Sequence, residues 1–354
     1  MIARVFRYSF AQARTRALKG KLLSVEDWHY LLRMRNPEDL LKYLSGTDYA
    51  PVLARFAGVT PPPVGDISLA LYEDLFSHTA KLLKAVPKNS SRLLESLLLR
   101  YEAENLKTIL RGLWRGSSSL EILALLYPLG SLSRLPVEVL LQAGQVTAAL
   151  NSLRSTPFHG PLMHALAQFQ AQGRLFPLEI AIDHAAFEHL RTNLKALRGL
   201  DRKKAQDLIG ALVDGINLSW LVRFRHLYSI SPEETINYLL VGGRYLTVQD
   251  LGRLARASDL PAFREALPAP YQEVLSQVDQ WRQVKTYVER WLVGQLHDVF
   301  IRDPFQIGLP ISYLLLKELE VKSLECLLSS MAFGEPPARL IEQISLPVRG
   351  DARV

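Results

Sequence analysis

Residues 67–86 (ISLALYEDLFSHTAKLLKAV) align without a gap on residues 178–197 (LEIAIDHAAFEHLRTNLKAL) of the same chain. Ala70, Phe76, His78, Leu83, Lys84 and Ala85 coincide with Ala181, Phe187, His189, Leu194, Lys195 and Ala196, an offset of 111. Further along, Glu102-x-x-Asn105-Leu106 meets Asp214-x-x-Asn217-Leu218 at an offset of 112, and Arg111 meets Arg223. A weaker third copy, Glu320-x-x-Ser323-Leu324, lies 218 residues after the first, with Gly334 in the place of Gly116. Such self-similarity means one supersecondary unit used several times, each copy burying its apolar face against a neighbour.

The unit is helical. Leu94, Leu98, Tyr101, Asn105, Ile109 and Leu113 step by three or four residues, as one helix face requires. Ser118-x-x-Glu121 and Ser231-x-x-Glu234 read as capping boxes, the latter with Pro232 at the first helical position. Ser24-x-x-Asp27 and Thr247-x-x-Asp250 offer the same reciprocal capping with a shorter acid. Thr60-Pro61-Pro62-Pro63-Val64-Gly65 reads as a linker. The fold class predicted is all-α, with many short helices.

The repeated polar pair lies on the apolar face. Leu98, Glu102, Asn105 and Ile109 are spaced i, i+4, i+7 and i+11, and Asp214/Asn217 and Glu320/Ser323 follow suit among leucines. Buried acids invite a catalytic reading. Three copies of one catalytic site in a single chain would be unusual, whereas a hydrogen-bonded brace in each copy satisfies the rule that buried polar groups find partners. The pairs are therefore read as structural.

A second motif fixes the order of the copies. Gly20-Lys21-Leu22-Leu23-Ser24-Val25-Glu26-Asp27 resembles Gly243-Arg244-Tyr245-Leu246-Thr247-Val248-Gln249-Asp250, and each runs on through a helix pair to a tyrosine, Tyr49 or Tyr271. A degraded version runs from Gly130-Ser131-Leu132 to Phe158. The acid motif precedes the Gly-Leu motif at 102 then 130, and at 214 then 243. The acid at 320 has too little chain after it, and the Gly-Leu copy at 20–49 has no acid before it. Hence residues 1–60 are expected to complete the third unit, with repeats at 61–170, 171–275 and 276–354 closing into a ring; an open solenoid with two caps is the alternative.

Chemistry is scarce. No phosphate-cradling glycine loop occurs, and Gly242-Gly243 reads as a helix stop. His184 and His189 are five apart, as are His159 and His164, and neither pair faces one metal as a His-Glu-x-x-His pair does. Cys326, the single cysteine, lies between Leu324 and Leu327 and reads as core; it rules out an internal disulfide framework and fits a reducing compartment. No catalytic, cofactor-binding or metal-binding residues are assigned.

Residues 1–25 hold Arg4, Arg7, Arg14, Arg16, Lys19 and Lys21 and no acid, while the remaining residues hold 36 basic and 35 acidic side chains, completing the totals of 42 and 35. A nearly neutral body argues against a nucleic-acid face. The basic start reads either as an organellar transit peptide or as an amphipathic helix of the fold, its apolar stripe being Ile2, Phe6, Phe10, Ala13 and Ala17. No uncharged apolar run is long enough to span a bilayer, so any membrane association is expected to be peripheral.

Several stretches resemble the C subunit of prokaryotic V/A-type ATPases, whose eukaryotic equivalent is the d subunit. They are Tyr8-x-x-Ala11-x-Ala13-Arg14-x-Arg16-Ala17-Leu18-Lys19-x-Lys21-Leu22-Leu23, Glu102-x-x-Asn105-Leu106-Lys107 and Pro177-Leu178-Glu179-Ile180-Ala181-Ile182-Asp183. Two more follow, Asp303-Pro304-Phe305-Gln306-Ile307-Gly308 and Tyr313-Leu314-Leu315-Leu316-Lys317-Glu318-Leu319-Glu320-Val321. After Glu320 the family continues with Asn-Leu-Arg, where this chain has Ser323-Leu324-Glu325. The resemblance implies a non-catalytic funnel of three helical units, peripheral on the cytoplasmic face of the membrane. Its expected partners are the membrane rotor ring and the central shaft, and its expected role is coupling proton or sodium transport to ATP synthesis or hydrolysis without binding nucleotide. A generic helical-repeat adaptor remains the other function class the repeats allow.

Overall fold

A computed structural model describes residues 2–60, 62–334 and 344–345; Pro61 of the linker lies outside them. Among the described residues every regular element is helical. Eight helices among the described residues have fourteen residues or more: α1 (Ile2–Lys19), α2 (Val64–Leu83), α3 (Lys88–Arg115), α4 (His159–Gln172), α5 (Phe176–Lys195), α6 (Gly199–Leu221), α7 (Gln283–Asp298) and α8 (Gly308–Ala332). The proline linker is shorter than its sequence suggests, because α2 already starts at Val64, directly after Pro63.

The contacts divide the chain into two compact units, residues 1–86 with 198–354, and residues 87–197. The first is built around α8, whose residues are buried without interruption from Gly308 to Val321. A helix buried on every side sits in the middle of a core, and its charged members Lys317, Glu318 and Glu320 then require partners. Around it pack α1, α2, α6, α7 and the short helix Pro37–Leu44. A satellite core gathers Leu218, Leu254, Phe263, Tyr271, Val278 and Val288. In the second unit α3 and α4 both pack on α5, over a core that includes Leu106, Ile109, Leu150, Phe158 and Ile182.

Capping follows the sequence at three of four sites. Ser24/Asp27, Ser118/Glu121 and Thr247/Asp250 each make both bonds of a capping box. At Ser231 only the serine half forms: its side chain accepts from Glu234 N, while the Glu234 carboxylate instead accepts from Tyr238 Oη. Gly116 and Gly334, matched by the repeat, both adopt left-handed backbone at φ 73° and 68° as they end α3 and α8. The second copy lacks the glycine, and there α6 runs into a π-helical turn, Val222–Leu227, with Ser229 at φ 54°.

The first helix reverses its sequence reading. Tyr8, Ala11, Thr15 and Leu18 are buried, whereas Phe6 and Phe10 are 83% and 60% exposed and Ala13 and Ala17 are also exposed. The Ile2 side chain lies outside the described ones. Hydrophobicity marked Phe6 and Phe10 as the inner face, but Tyr8 Oη finds Asp201 at 2.9 Å and small Ala11 permits close approach to the core. Enlarging Ala11 to leucine should therefore cost about 1–3 kcal/mol by overpacking. The same change at exposed Ala13 should leave the unfolding midpoint nearly unmoved, which denaturant titration of both variants will show.

Candidate functional site: the buried acid–amide braces

Each acid of the repeat is buried, and each is spent on another segment of the chain. Asp214 on α6 accepts from three successive backbone amides, Arg244 N at 3.0 Å, Tyr245 N at 2.8 Å and Leu246 N at 3.3 Å, and from Tyr271 Oη at 3.0 Å. Three residues on, Asn217 donates to Leu240 O and accepts from Leu240 N at 2.9 and 2.8 Å. A carboxylate is acceptor-only and a carboxamide is both donor and acceptor, so the pair suits a row of N–H groups together with one buried peptide edge just before it. Gly243 makes this approach possible: a Cβ there would stand 2.0 Å from Asp214 Oδ1.

The first copy, in the other unit, repeats the scheme with fewer bonds. Glu102 on α3 accepts from Arg134 N at 2.6 Å, and Asn105 exchanges bonds of 2.9 and 2.7 Å with the peptide of Tyr127. Where Tyr271 stands in the second copy this one has buried Phe158, which has no hydroxyl to offer. That missing donor is the physical content of the degraded motif.

In the third copy the partner is the N-terminal segment. Glu320 on α8 accepts from Leu23 N at 2.7 Å and from Tyr49 Oη at 2.7 Å. It also receives Lys317 Nζ at 3.3 Å. Ser323 is buried on the same face, and among the described residues its hydroxyl makes no paired bridge like those of the two amides.

Lys317 is the residue that sequence reasoning passed over. Only 1% exposed, it pairs with Asp74 Oδ2 on α2 at 2.9 Å as well as with Glu320, and its Nζ stands 3.7 Å from the Tyr49 ring centroid. His78 stands 3.6 Å from Asp74 Oδ1 and bonds Tyr313 Oη at 2.7 Å. A lysine inside the run Tyr313–Val321 was the available signal, since an unpaired buried cation is prohibitively costly. The acid helix of the first copy carries a buried lysine at a different place in the repeat: Lys107 pairs with Asp183 and Glu104, both at 2.8 Å, and Arg111 with Glu179 at 2.6 Å. His189, the repeat partner of His78, bonds Ser96 Oγ at 3.2 Å.

The electrostatics describe braces held tightly in a dry interior. Burial pushes Asp214 up to about 6, against the pull of its four donors. Burial likewise raises Glu102, opposed by Arg134 N and the Arg134 charge. Tyr49 and Tyr271 are driven well above the usual phenol range by burial first and then by the neighbouring carboxylate. His78 falls to about 4, chiefly by burial with a further contribution from the Lys317 charge, so it is neutral at physiological pH. Among the described residues no group of three or more His, Cys, Asp or Glu side chains is placed to hold a metal ion. Cys326 is half-buried, a partial departure from its reading as core.

Among the described residues the fold is all-α, and its buried acids serve the chain's own backbone and side chains, which defines an all-α protein held together by internal polar braces. Within that class the family is specific: the ATP synthase (C/AC39) subunit family matches residues 11–343, and this chain belongs to it. Members of this family are accessory, non-catalytic subunits of the rotary ATPase. The chain is similar to the A-type ATP synthase C subunit of Methanocaldococcus jannaschii, 23% identical over 93% of this chain and 84% of the relative. It is also similar to the A-type ATP synthase C subunit of Haloferax volcanii, 25% identical over 92% of this chain and 93% of the relative. With that of Halorubrum lacusprofundi it shares 28% identity over 71% of this chain and 70% of the relative.

Two outcomes follow from this geometry. Gly243→Ala should destabilise by at least 1 kcal/mol, on the order of an overpacked core, because the new methyl meets the Asp214 carboxylate. Gly20→Ala, whose Cβ would find nothing nearer than 3.6 Å, should be nearly neutral. Equal unfolding midpoints for the two variants would contradict this difference. The second concerns pH. The folded-state value of Asp214, about 6, lies above its ordinary 3.8, so the folded state holds the extra proton between them. Its contribution is present below about pH 4 and is lost as pH rises through 6. Relative to Asp214→Asn, the wild type should lose on the order of 3 kcal/mol across that window, read from denaturant titrations at several pH values.

Proposed function

We propose that this chain is the central-stalk subunit that joins the membrane rotor ring to the central shaft of a V/A-type ATPase. In that role it keeps proton or sodium movement coupled to ATP synthesis or hydrolysis, and it works peripherally on the cytoplasmic side of the membrane complex. Family membership supports the complex, and one structural observation supports the linker role: the bracing of Glu320 by Leu23 and Tyr49. The helix pairing is consistent with it. The acid helix α3 packs on α5, which opens the second copy, and α6 packs on α7, which opens the third. The last acid helix, α8, packs on α2, which opens the first. On this reading the three copies make a closed set, with residues 1–60 completing the third, and repeats at 61–170, 171–275 and 276–354.

A closed set resists twisting because no copy has a free end. Torque transmission needs stiffness and no chemistry, so Glu102, Asn105, Asp214, Asn217, Glu320 and Ser323 act here as structural braces. A pseudo-threefold funnel of this kind would receive the end of a helical shaft on one side and rest on the ring with the other.

Reconstitution tests the reading. Membranes lacking the protein should lose gradient-coupled ATP turnover, while the detached catalytic head keeps hydrolysing ATP. Retained coupling would remove the linker reading and leave a generic helical-repeat adaptor in its place. The isolated protein should show no measurable ATP binding by calorimetry, since no phosphate-cradling loop is present in its sequence.

A further inference from the structure

The outward face of α1 is a second apolar stripe that the fold does not use. Phe6, Phe10, Ala13 and Ala17 are spaced i, i+4, i+7 and i+11, all exposed, and lie on the side of the helix opposite buried Tyr8, Ala11, Thr15 and Leu18. Arginines border the stripe along both edges: Arg7 and Arg14 on one, Arg16 on the other. Arg14 lies over the Phe10 ring at 5.1 Å and anchors to Lys81 O, while Arg16 donates to Phe300 O at 2.8 Å. Arg14 and Arg16 are thus held along the two edges of the stripe, Arg14 against the Phe10 ring. The helix carries no acid, and the first 25 residues supply six of the chain's seven net positive charges.

We propose that this face of α1 docks on the surface of an anionic bilayer, with Phe6 and Phe10 entering the headgroup–acyl boundary and Arg7, Arg14 and Arg16 engaging phosphates. Charge complementarity selects lipid over a protein groove. A groove that takes a helix offers pockets to large side chains at successive turns. Here two aromatic rings are followed by two alanines, with basic residues on both sides, which is the composition of an interfacial helix. Among the described residues no helix is long and apolar enough to cross a membrane, so the contact is a surface one. The inference concerns lipid rather than another subunit, goes beyond the rotor reading and does not depend on it.

Flotation of the purified full-length protein with vesicles tests it. The protein should float with vesicles containing phosphatidylglycerol and remain behind with pure phosphatidylcholine, and added salt should weaken the association. Phe6→Ser/Phe10→Ser should reduce binding by at least tenfold with an unchanged thermal midpoint, because both rings are exposed. Arg7→Gln alone should reduce it roughly fivefold, as about 1 kcal/mol per basic residue at an anionic surface implies. Absence of flotation, or equal flotation of wild type and the double variant, would overturn the proposal. So would a double variant that floats normally but no longer copurifies with its complex, since a protein would then cover the stripe. Failed flotation alongside intact gradient coupling would remove this inference and leave the rotor reading standing.

Discussion

The structure depends on carboxylates buried on the apolar faces of long helices. A charge in that position is tolerable only if donors are brought to it, and in each copy of the repeat at least one is a backbone N–H distant in sequence. Asp214 collects residues 244–246 and 271, Glu102 collects residue 134, and Glu320 collects residues 23 and 49. In the first two copies the acid therefore dictates where the following loop must lie, and the amide three residues on holds a second stretch of the same connection; in the third the acid positions the N-terminal segment instead. Connectivity that hydrophobic packing alone would leave loosely specified becomes specified by a few polar atoms.

The copies differ in how richly they are satisfied. The second is the fullest, with three amides and a phenol. The first has lost its phenol to Phe158 and relies on a separate cluster, Lys107 with Asp183 and Glu104, to tie α3 to α5. The third must join segments from opposite ends of the sequence, and it recruits a full cation to do so. Lys317 serves Glu320, Asp74 and the face of Tyr49 together, linking α8, α2 and the N-terminal segment. Removing any one partner there would leave another buried charge exposed to the cost of desolvation.

Much of this was legible because repeats make a sequence comment on itself. The all-α class followed from periodicity and from capping residues whose bonds mostly form. Tyr49 and Tyr271 were marked as ends of equivalent motifs, and both hydroxyls donate to an acid of the repeat. Other features depended on tertiary context. The buried side of α1 could not be read from hydrophobicity, because two apolar stripes share that helix and only contact with the core decides between them. The Lys317–Asp74 pair joins residues with no local pattern in common. Glu234 left its cap for Tyr238, a competition between two good donors that spacing does not reveal.

The N-terminal segment is bound to the third acid by a specific interaction between Tyr49 and Glu320, and a double-mutant cycle measures its strength. Tyr49→Phe removes only the hydroxyl, Glu320→Gln removes only the charge, and the pair of changes completes the cycle. A direct buried bond predicts a coupling of about 1–3 kcal/mol in unfolding free energy between these positions, 271 residues apart in sequence. Strictly additive effects would show that the two groups do not interact in the folded protein, and the closure built on them would fall.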